Sequence, residues 1–188
     1  MASNPNDLLT PEEYLAIERN AELKSEYFAG EAFAMAGGNR RHNLVAGNVN
    51  RLLSNQLLER PCSVYNSDMR VKIASVGKYT YPDLSVACAE EQFEDAEEDT
   101  LLNPIVIIEV LSKSTEAYDR GKKWEHYQRI DSLREYLLVS QSPYRIEQFV
   151  RQSDRSWSYT QYDGESEVVN LESIACSLRL LEVYAKLR

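Results

Sequence analysis

The sequence has little glycine, proline and cysteine. It holds 7 glycines, 6 prolines and 3 cysteines in 188 residues, so it is neither a low-complexity chain nor a disulfide-rich scaffold. The cysteines, Cys62, Cys88 and Cys176, lie far apart and form no CxxC pair, which predicts neither a disulfide framework nor a zinc site. Unpaired cysteines are typical of a reducing compartment, and we therefore expect a cytoplasmic protein.

Long apolar runs and targeting features are also missing. No stretch approaches the roughly 18 consecutive apolar residues that a membrane-spanning helix needs, so we expect no membrane partner. The first seven residues, Met-Ala-Ser-Asn-Pro-Asn-Asp, contain neither a basic region nor an apolar core and do not predict a secretory signal. The length and the 43% apolar content fit one domain, residues 1–188, with a substantial core.

Positive charge is scarce, since the formal net charge is −9. This balance argues against a protein that coats nucleic acid nonspecifically, although it leaves room for an enzyme with a local basic patch. Part of the acidic excess lies in residues 90–99, which we expect to form a solvated loop or a short surface helix.

Hydrophobic periodicity and turn signals predict alternating helices and strands. Helices are predicted at 10–19, 40–58, 115–130 and 180–187. Strands are predicted as two short pieces around Gly30, and at 62–73, 79–89, 104–111, 133–139, 144–151 and 157–162. The strand, helix and strand from 104 to 139 form a βαβ crossover, and 62–73 with 79–89 form a hairpin. The fold class is therefore α/β (α+β), with a mixed central β-sheet flanked by helices.

The stretch Pro104–Ser112 carries the first functional signal. Its β-branched apolar run, bounded by proline, predicts a strand that is buried on both faces. Glu109 lies inside this run, where an unpaired carboxylate is costly and needs a cation, a metal ion or a proton. The alternative is a glutamate at the exit of the strand that is hydrogen-bonded to a neighbouring arginine.

A second acid, Asp83, lies in the strand predicted before this one. Alternation places it on the same face as Tyr81 and Ser85, and in neighbouring strands its carboxylate could converge with that of Glu109. Two close carboxylates require positive charge between them, and Mg²⁺ (or Mn²⁺), bound through carboxylate and carbonyl oxygens, would supply it. The backbone carbonyl of Val110 could be a further ligand. Alone, Asp83 is more simply a turn acid after Pro82.

A lysine on the following helix is the third candidate. Lys123 lies beside Trp124 and four residues before Tyr127, so it borders the buried face, whereas Lys122 is rotated outward. The alternative is a solvated lysine that pairs with Asp119 four residues earlier, which would contribute only a few tenths of a kcal/mol.

Several motifs in this order resemble the Uma2 family of restriction-endonuclease-like proteins within the PD-(D/E)xK nuclease superfamily. They are Thr10-Pro-Glu-Glu-Tyr, Glu26 through Glu31, Ala36-Gly-Gly with His42-Asn43, Ser67-Asp-Met-Arg-Val71, Tyr81-Pro-Asp83, Glu109-Val-Leu-Ser-Lys-Ser-Thr115, Tyr118-Asp-Arg-Gly and Leu133-Arg-Glu-Tyr-Leu137.

The resemblance covers almost the whole chain and implies a restriction-endonuclease-like core with extra C-terminal strands. It implies Asp83 and Glu109 as metal ligands, DNA as the substrate and a homodimer as the assembly. The sequence departs from the superfamily pattern at one position. The motif lysine should lie two residues after the second acid, where this chain has Leu111, and Lys123 on the helix matches the displaced lysine of the family.

Further candidates surround these three. His42 opens the second predicted helix and points toward one end of the sheet, although a histidine there is more often structural. Glu31 could add a carboxylate near the metal ion, with Glu26 as the weaker alternative. Arg70 could pair with Glu109 or contact a phosphate. A local basic patch could be formed by Arg40, Arg41, Arg120 and Lys122.

Together these features predict a Mg²⁺-dependent endonuclease that hydrolyses DNA phosphodiester bonds. The alternative is a catalytically weak or inactive nuclease-like fold that acts as an interaction or regulatory module. The acidic charge and Leu111 favour the module, whereas two acids in a core favour the enzyme.

Overall fold

The computed structural model describes residues 8–187. The N-terminal stretch that was read for a secretory signal lies outside the described residues. Within the described part of the chain, no helix has the length and the apolar character that crossing a membrane requires.

The helices are short except for one. They are α1 (Pro11–Glu18), α2 (Arg40–Leu57), α3 (Glu116–Tyr118), α4 (Trp124–Tyr127) and α5 (Leu180–Val183). A π-helical turn, Asp119–Lys123, joins α3 to α4. As predicted, α1 begins with a capping box, because Thr10 accepts a hydrogen bond from the Glu13 amide and the Glu13 side chain accepts one from the Thr10 amide.

The strands form three sheets in the described residues. They are β1 (Ser25–Phe28), β2 (Glu31–Ala34), β3 (Cys62–Asn66), β4 (Arg70–Ile73), β5 (Lys78–Thr80), β6 (Leu84–Cys88), β7 (Thr100–Leu101), β8 (Val106–Val110), β9 (Glu135–Val139), β10 (Arg145–Arg151), β11 (Trp157–Asp163), β12 (Val168–Leu171) and β13 (Cys176–Arg179). The sheet orders are β2-β1-β5-β4-β7, β11-β10-β9-β8-β6-β3 and β12-β13. Both large sheets are mixed, which confirms the predicted fold class.

The strand β8 lies in the middle of the six-stranded sheet, and all of its residues are buried, as its apolar run predicts. It runs parallel to β9, so the predicted crossover is present. One face of the sheet packs against the apolar stripe of α2, formed by residues such as Val45 and Val49. The other face presents Tyr136 and Leu138 of β9, and Tyr127 of α4 belongs to the same apolar cluster. Glu109 belongs to this second face, because its neighbours Ile108 and Val110 point toward α2.

The predicted hairpin of two long strands is wrong, because each strand is broken and its two halves join different sheets. A turn at 67–69 separates β3 from β4, and the Asn66 side chain accepts the Asp68 amide there. Pro82 separates β5 from β6, since proline has no N–H to donate to a central ladder. As a result β4 pairs with β5, and β3 pairs with β6.

Other elements also differ from the sequence prediction. The helix predicted over 115–130 contains the π-helical turn, and the last helix is only α5. The C-terminal hairpin β12-β13 and the short strand β7 were not predicted. The acidic segment 90–99 is a loop, but it is not simply solvated, since Asp95 and Asp99 each form a salt bridge with Arg19 at 2.8 Å.

The cysteine prediction is wrong as well. The antiparallel register of β3 and β6 places Cys62 opposite Cys88, and the two form a disulfide, while Cys176 is free and buried. Spacing could not reveal this pair, because 26 positions separate the two residues and only strand pairing brings them together. The disulfide removes the cysteine argument for a reducing cytoplasm.

Candidate active site

Glu109 and Lys123 form a buried ion pair. The ammonium Nζ of Lys123 lies 2.8 Å from Oε1 of Glu109. Glu109 is only 3% exposed and Lys123 only 6%, so water screens this pair weakly. The hydroxyl of Tyr127 also donates to Oε1 of Glu109, at 2.8 Å. The glutamate that the sequence places in an apolar strand therefore has its cation, and that cation is the predicted lysine.

The π-helical turn explains how one helical segment supplies both an acid and a lysine to this cluster. Asp119 and Lys123 begin and end the turn, and both are buried, with 3.7 Å between Oδ1 and Nζ. The alternative partner considered for Lys123 is therefore also present, at a longer distance than Glu109. A π-helical turn inside a helix is uncommon and is frequently found at functional sites. Lys122 is exposed, as predicted.

Asp83 lies beside Glu109, at the break between β5 and β6. The pairing of Leu84 with Ile108 confirms the prediction that these strands are neighbours. Oδ2 of Asp83 accepts the amide of Val110 at 2.7 Å, and it lies 3.1 Å from Nε2 of His42. Hence the structure brings together Asp83, His42 and the residue that follows Glu109. His42 points toward the end of the sheet, as predicted.

Glu26 on β1 is a further buried acid of the cluster. Its Oε1 lies 3.6 Å from Nζ of Lys123, and its Oε2 lies 3.4 Å from Nζ of Lys78. The hydroxyls of Thr80 and Tyr118 also donate to this carboxylate. The sequence favours Glu31 over Glu26 as a site residue, but Glu31 is exposed on β2 and the buried acid of this hairpin is Glu26.

The cluster holds more acids than lysines. Four carboxyl groups, from Glu26, Asp83, Glu109 and Asp119, share it with the ammonium groups of Lys78 and Lys123 and the imidazole of His42. Burial raises the pKa of Glu109 to about 8, against the opposing effect of Lys123, and the charge of Asp83 raises it further. The site therefore disfavours ionisation of all four carboxyl groups, and a bound cation would allow more of them to ionise.

The other pKa shifts have identifiable causes. Burial alone would lower the pKa of Lys123, but Glu109 and Glu26 outweigh it and raise that pKa. Burial lowers the pKa of Lys78. The hydrogen bond with Asp83 raises the pKa of His42. Burial raises the pKa of Asp119, although the charge of Lys123 opposes this shift.

The acids fit a hard cation that is held by few protein ligands. Among residues 8–187, no three histidine, cysteine, aspartate or glutamate side chains are arranged around one metal position. Mg²⁺, however, commonly binds through only one or two carboxylates and keeps several waters. The contacts described above use Oδ2 of Asp83 and Oε1 of Glu109, and the second oxygen of each acid is the candidate ligand.

Arg70 and the predicted basic patch are placed differently. Arg70 is buried and pairs with Asp99 at 2.7 Å, while its side chain donates to Thr100 and Tyr81, so its charge is used within the fold rather than at Glu109. Arg120 donates to both carboxylate oxygens of Glu147. Arg120 is therefore neutralised by Glu147. The predicted basic patch is left with Arg40, Arg41 and Lys122.

Sequence reasoning did not identify Lys78 or Tyr118 as part of the site. Lys78 follows Gly77 in a segment that reads as a turn, yet the residue is only 1% exposed. No local pattern marks such a lysine, because its partner Glu26 lies on another strand and the two meet only through the pairing of β1 with β5.

The fold is that of a nuclease-like α+β protein. A crystal structure of a protein described as a putative nuclease belonging to DUF820, from Anabaena variabilis, superposes with a TM-score of 0.77 at 17% identity, covering 94% of this chain and 98% of that one. At that identity the likeness concerns the fold. Residues 11–182 match the Uma2 family, described as "Putative restriction endonuclease". The chain belongs to this family.

Two proteins of Synechocystis sp. are similar over most of their length. "Uncharacterized protein slr1290" is 36% identical over 182 residues, which covers 97% of this chain and 94% of the relative. "Uncharacterized protein sll1609" is 39% identical over 159 residues, or 85% of this chain and 90% of the relative. Their descriptions assign no activity, so the chemistry has to be argued from the site.

Proposed function

We propose that this protein is an endonuclease that uses Mg²⁺, or Mn²⁺ in its place, to hydrolyse DNA phosphodiester bonds. The family and the nuclease-like fold support a nuclease, and the finer claim rests on one observation. Lys123 lies against Glu109, with Asp83 adjacent, so the chain supplies two acids and a lysine although position 111 carries leucine.

In this proposal Asp83, Glu109 and the carbonyl of Val110 hold the metal ion. A bound Mg²⁺ would polarise the scissile phosphate and lower the pKa of an attacking water. Lys123 would orient that water, or neutralise charge that develops on the phosphate oxygens in the transition state. Tyr127 fixes the Glu109 carboxylate, and the imidazole of His42 fixes Asp83.

A plasmid-cleavage assay tests the proposal. Supercoiled DNA is incubated with the protein in Mg²⁺, in Mn²⁺ and in EDTA, and cleavage is expected only with metal. Asp83→Asn should abolish cleavage, because the amide is a poor ligand for a hard cation. It should change the free energy of unfolding by only about 1 kcal/mol, since its carbonyl still accepts the Val110 amide.

The matched control is Asp131→Asn, which alters an exposed aspartate outside the cluster and should cleave like the wild type. Metal-dependent cleavage that survives Asp83→Asn would remove Asp83 from the mechanism. A large loss of folding stability in Asp83→Asn would mean that its role is structural.

A second candidate function is an interaction or regulatory module. It is favoured by the fact that Lys123, Tyr127 and the Val110 amide already satisfy one oxygen of each acid within the protein. Titration calorimetry with Mg²⁺ and with Mn²⁺ separates the two functions. Specific binding that is lost in Asp83→Asn supports the enzyme, whereas no specific binding supports the module.

We also propose a homodimer, because two copies of one site would cut the two strands of a duplex. Analytical ultracentrifugation should give twice the mass of the chain, and a single chain mass would contradict it. We propose a cytoplasmic location, where cellular DNA is accessible, although disulfides are rare there. Cell fractionation with trapping of thiols tests both the compartment and the state of Cys62 and Cys88.

A further inference from the structure

An open cleft lies between α2 and the turn that joins β3 to β4, and Asp83 stands at its edge. Its volume is about 440 Å³. This lies within the range of roughly 300–1,000 Å³ that is common for pockets of small ligands. Of the candidate active site the cleft contains His42 and Asp83 but neither Glu109 nor Lys123, and it extends along α2 to Asn50 and Arg51. It contains the turn residues Asn66 and Ser67 at its other wall.

The helix that lines the cleft carries no acid. The 18 residues of α2 include Arg40, Arg41 and Arg51 but neither aspartate nor glutamate, in a chain with a net charge of −9. Arg51 is exposed, and within residues 8–187 the structure records no salt bridge to it. An anionic ligand would therefore meet the positive charge of Arg51 at one end of the cleft, away from Asp83, and no acid on the helix itself would repel it.

Gly47 lies on the wall of the cleft that α2 forms. It is an exposed residue in the interior of α2, and a Cβ added to it would meet no atom within 4 Å. Glycine inside a helix costs about 0.5–1 kcal/mol relative to alanine. A larger side chain at this position would therefore extend into the cleft without a clash with the rest of the protein.

The amide side chains of the cleft are oriented to offer both donors and an acceptor. Oδ1 of Asn66 accepts the Asp68 amide, and Oδ1 of Asn50 accepts the Ser54 hydroxyl, so each can present its NH₂ group. The NH₂ group of Asn43 donates to the carbonyls of residues 38 and 39, which leaves its oxygen as the acceptor. The edges of nucleobases present such mixed donors and acceptors.

We infer that this cleft binds one unpaired nucleotide of a nucleic-acid strand, next to the phosphate that the active site would cleave. Arg51 contacts the phosphate backbone, and Asn43, Asn50 and Asn66 contact the base. This inference rests on the proposed nuclease function. An unpaired strand is favoured because its base edges are free to bind the three amide side chains, whereas pairing occupies those edges in a duplex.

The test measures binding separately from hydrolysis. Fluorescence anisotropy is recorded with a labelled single-stranded DNA 12-mer, the RNA of the same sequence and the matching DNA duplex, in EDTA and again with Ca²⁺ in place of Mg²⁺. Gly47→Met fills the cleft and should weaken binding of the single strand about tenfold or more, the size of losing one stacked or hydrogen-bonded base. Asn55→Met, on the exposed side of α2 outside the cleft, should stay within about twofold of the wild type.

Arg51→Gln should weaken binding and reduce the slope of log Kd against log salt concentration by about one, because one phosphate contact is lost. Arg129→Gln, an exposed arginine of the helical segment that does not line the cleft, is its control and should keep the wild-type slope. Comparison of the DNA and RNA 12-mers shows whether the protein prefers deoxyribose or ribose. Weaker binding of either 12-mer to Gly47→Met supports binding of the strand in the cleft.

Hydrolysis of bis(4-nitrophenyl) phosphate by the wild-type protein, with Mg²⁺ or Mn²⁺, tests the proposed function without the cleft. If this small diester is not hydrolysed but Gly47→Met still weakens binding of the single strand, the nuclease proposal fails and the nucleotide cleft stands. If Gly47→Met leaves binding unchanged, if the duplex binds more tightly than the single strand, or if neither 12-mer binds, the cleft inference is overturned.

Discussion

Lys123 reaches Glu109 from a π-helical turn rather than from the strand that carries the glutamate. In the usual motif the lysine stands two residues after the acid, where this chain has the buried Leu111. The ammonium group thus contacts the second acid of the motif from a helical segment and not from the strand itself. The first two predictions test this displacement of the lysine from position 111 to position 123.

Lys123→Ala should lower the rate of single-turnover cleavage by about 10² or more, the size of losing one preorganised electrostatic donor. Metal affinity should change little or rise, because a positive charge near the cation is removed. The measurement is cleavage at saturating metal, together with circular dichroism to verify folding.

The matched variant is Lys122→Ala, which removes the exposed lysine next to it. It should keep the chemical step and weaken DNA binding, with an effect that shrinks at high salt. If Lys122→Ala loses the chemical step and Lys123→Ala keeps it, the assignment of the lysine is wrong.

A lysine at position 111 should replace Lys123 in part. Leu111 lies two residues after Glu109, and its amide continues the pairing with Val139, so its side chain is on the face of Glu109. Adding Leu111→Lys to Lys123→Ala should recover about tenfold of the lost rate, because an ammonium group again lies beside the carboxylate. Leu111→Met in the same background should recover nothing, and a folded double variant as slow as Lys123→Ala would contradict the prediction.

Without metal, the free energy of unfolding should fall as the pH rises through the pKa of Glu109. Burial raises that pKa from 4.5 to about 8, so between these values the folded protein holds a proton that the unfolded chain releases. The contribution to stability is full below 4.5 and is lost as the pH passes 8. We expect urea titrations in EDTA to show a decline of the order of a few kcal/mol that begins near pH 5 and levels off above about pH 8.

Glu109→Gln should flatten this decline, since the amide does not titrate. Glu165→Gln, which alters an exposed acid, should retain the wild-type slope. Equal slopes in wild type and Glu109→Gln would show that another group controls the pH dependence.

Reduction of the Cys62–Cys88 disulfide should lower the free energy of unfolding. The bond closes a loop with a sequence separation of 26, and reopening such a loop costs roughly 2–4 kcal/mol of stability. Denaturation with and without dithiothreitol measures the difference, and Cys176→Ser should respond like the wild type. Three reactive thiols in the denatured, unreduced protein would show that the two cysteines are not joined.

The sequence by itself determined the elements whose signals are local. A β-branched apolar run bounded by proline predicted the buried strand around Glu109, and helical spacing beside Trp124 and Tyr127 placed Lys123 on the buried side. The same spacing turned Lys122 outward. The strand was predictable because burial on both faces leaves a continuous apolar run, and the lysines were predictable because burial of one helix face leaves a periodic pattern in the chain.

Only the tertiary structure decided which distant groups share the site. Glu26 and Lys78 meet Lys123 because β1 pairs with β5, and Cys62 meets Cys88 because β3 pairs with β6. Strand pairing depends on the packing of the whole sheet, and no local pattern encodes which strands become neighbours across such distances. The sequence therefore names the acids and the lysine, whereas the fold decides their partners.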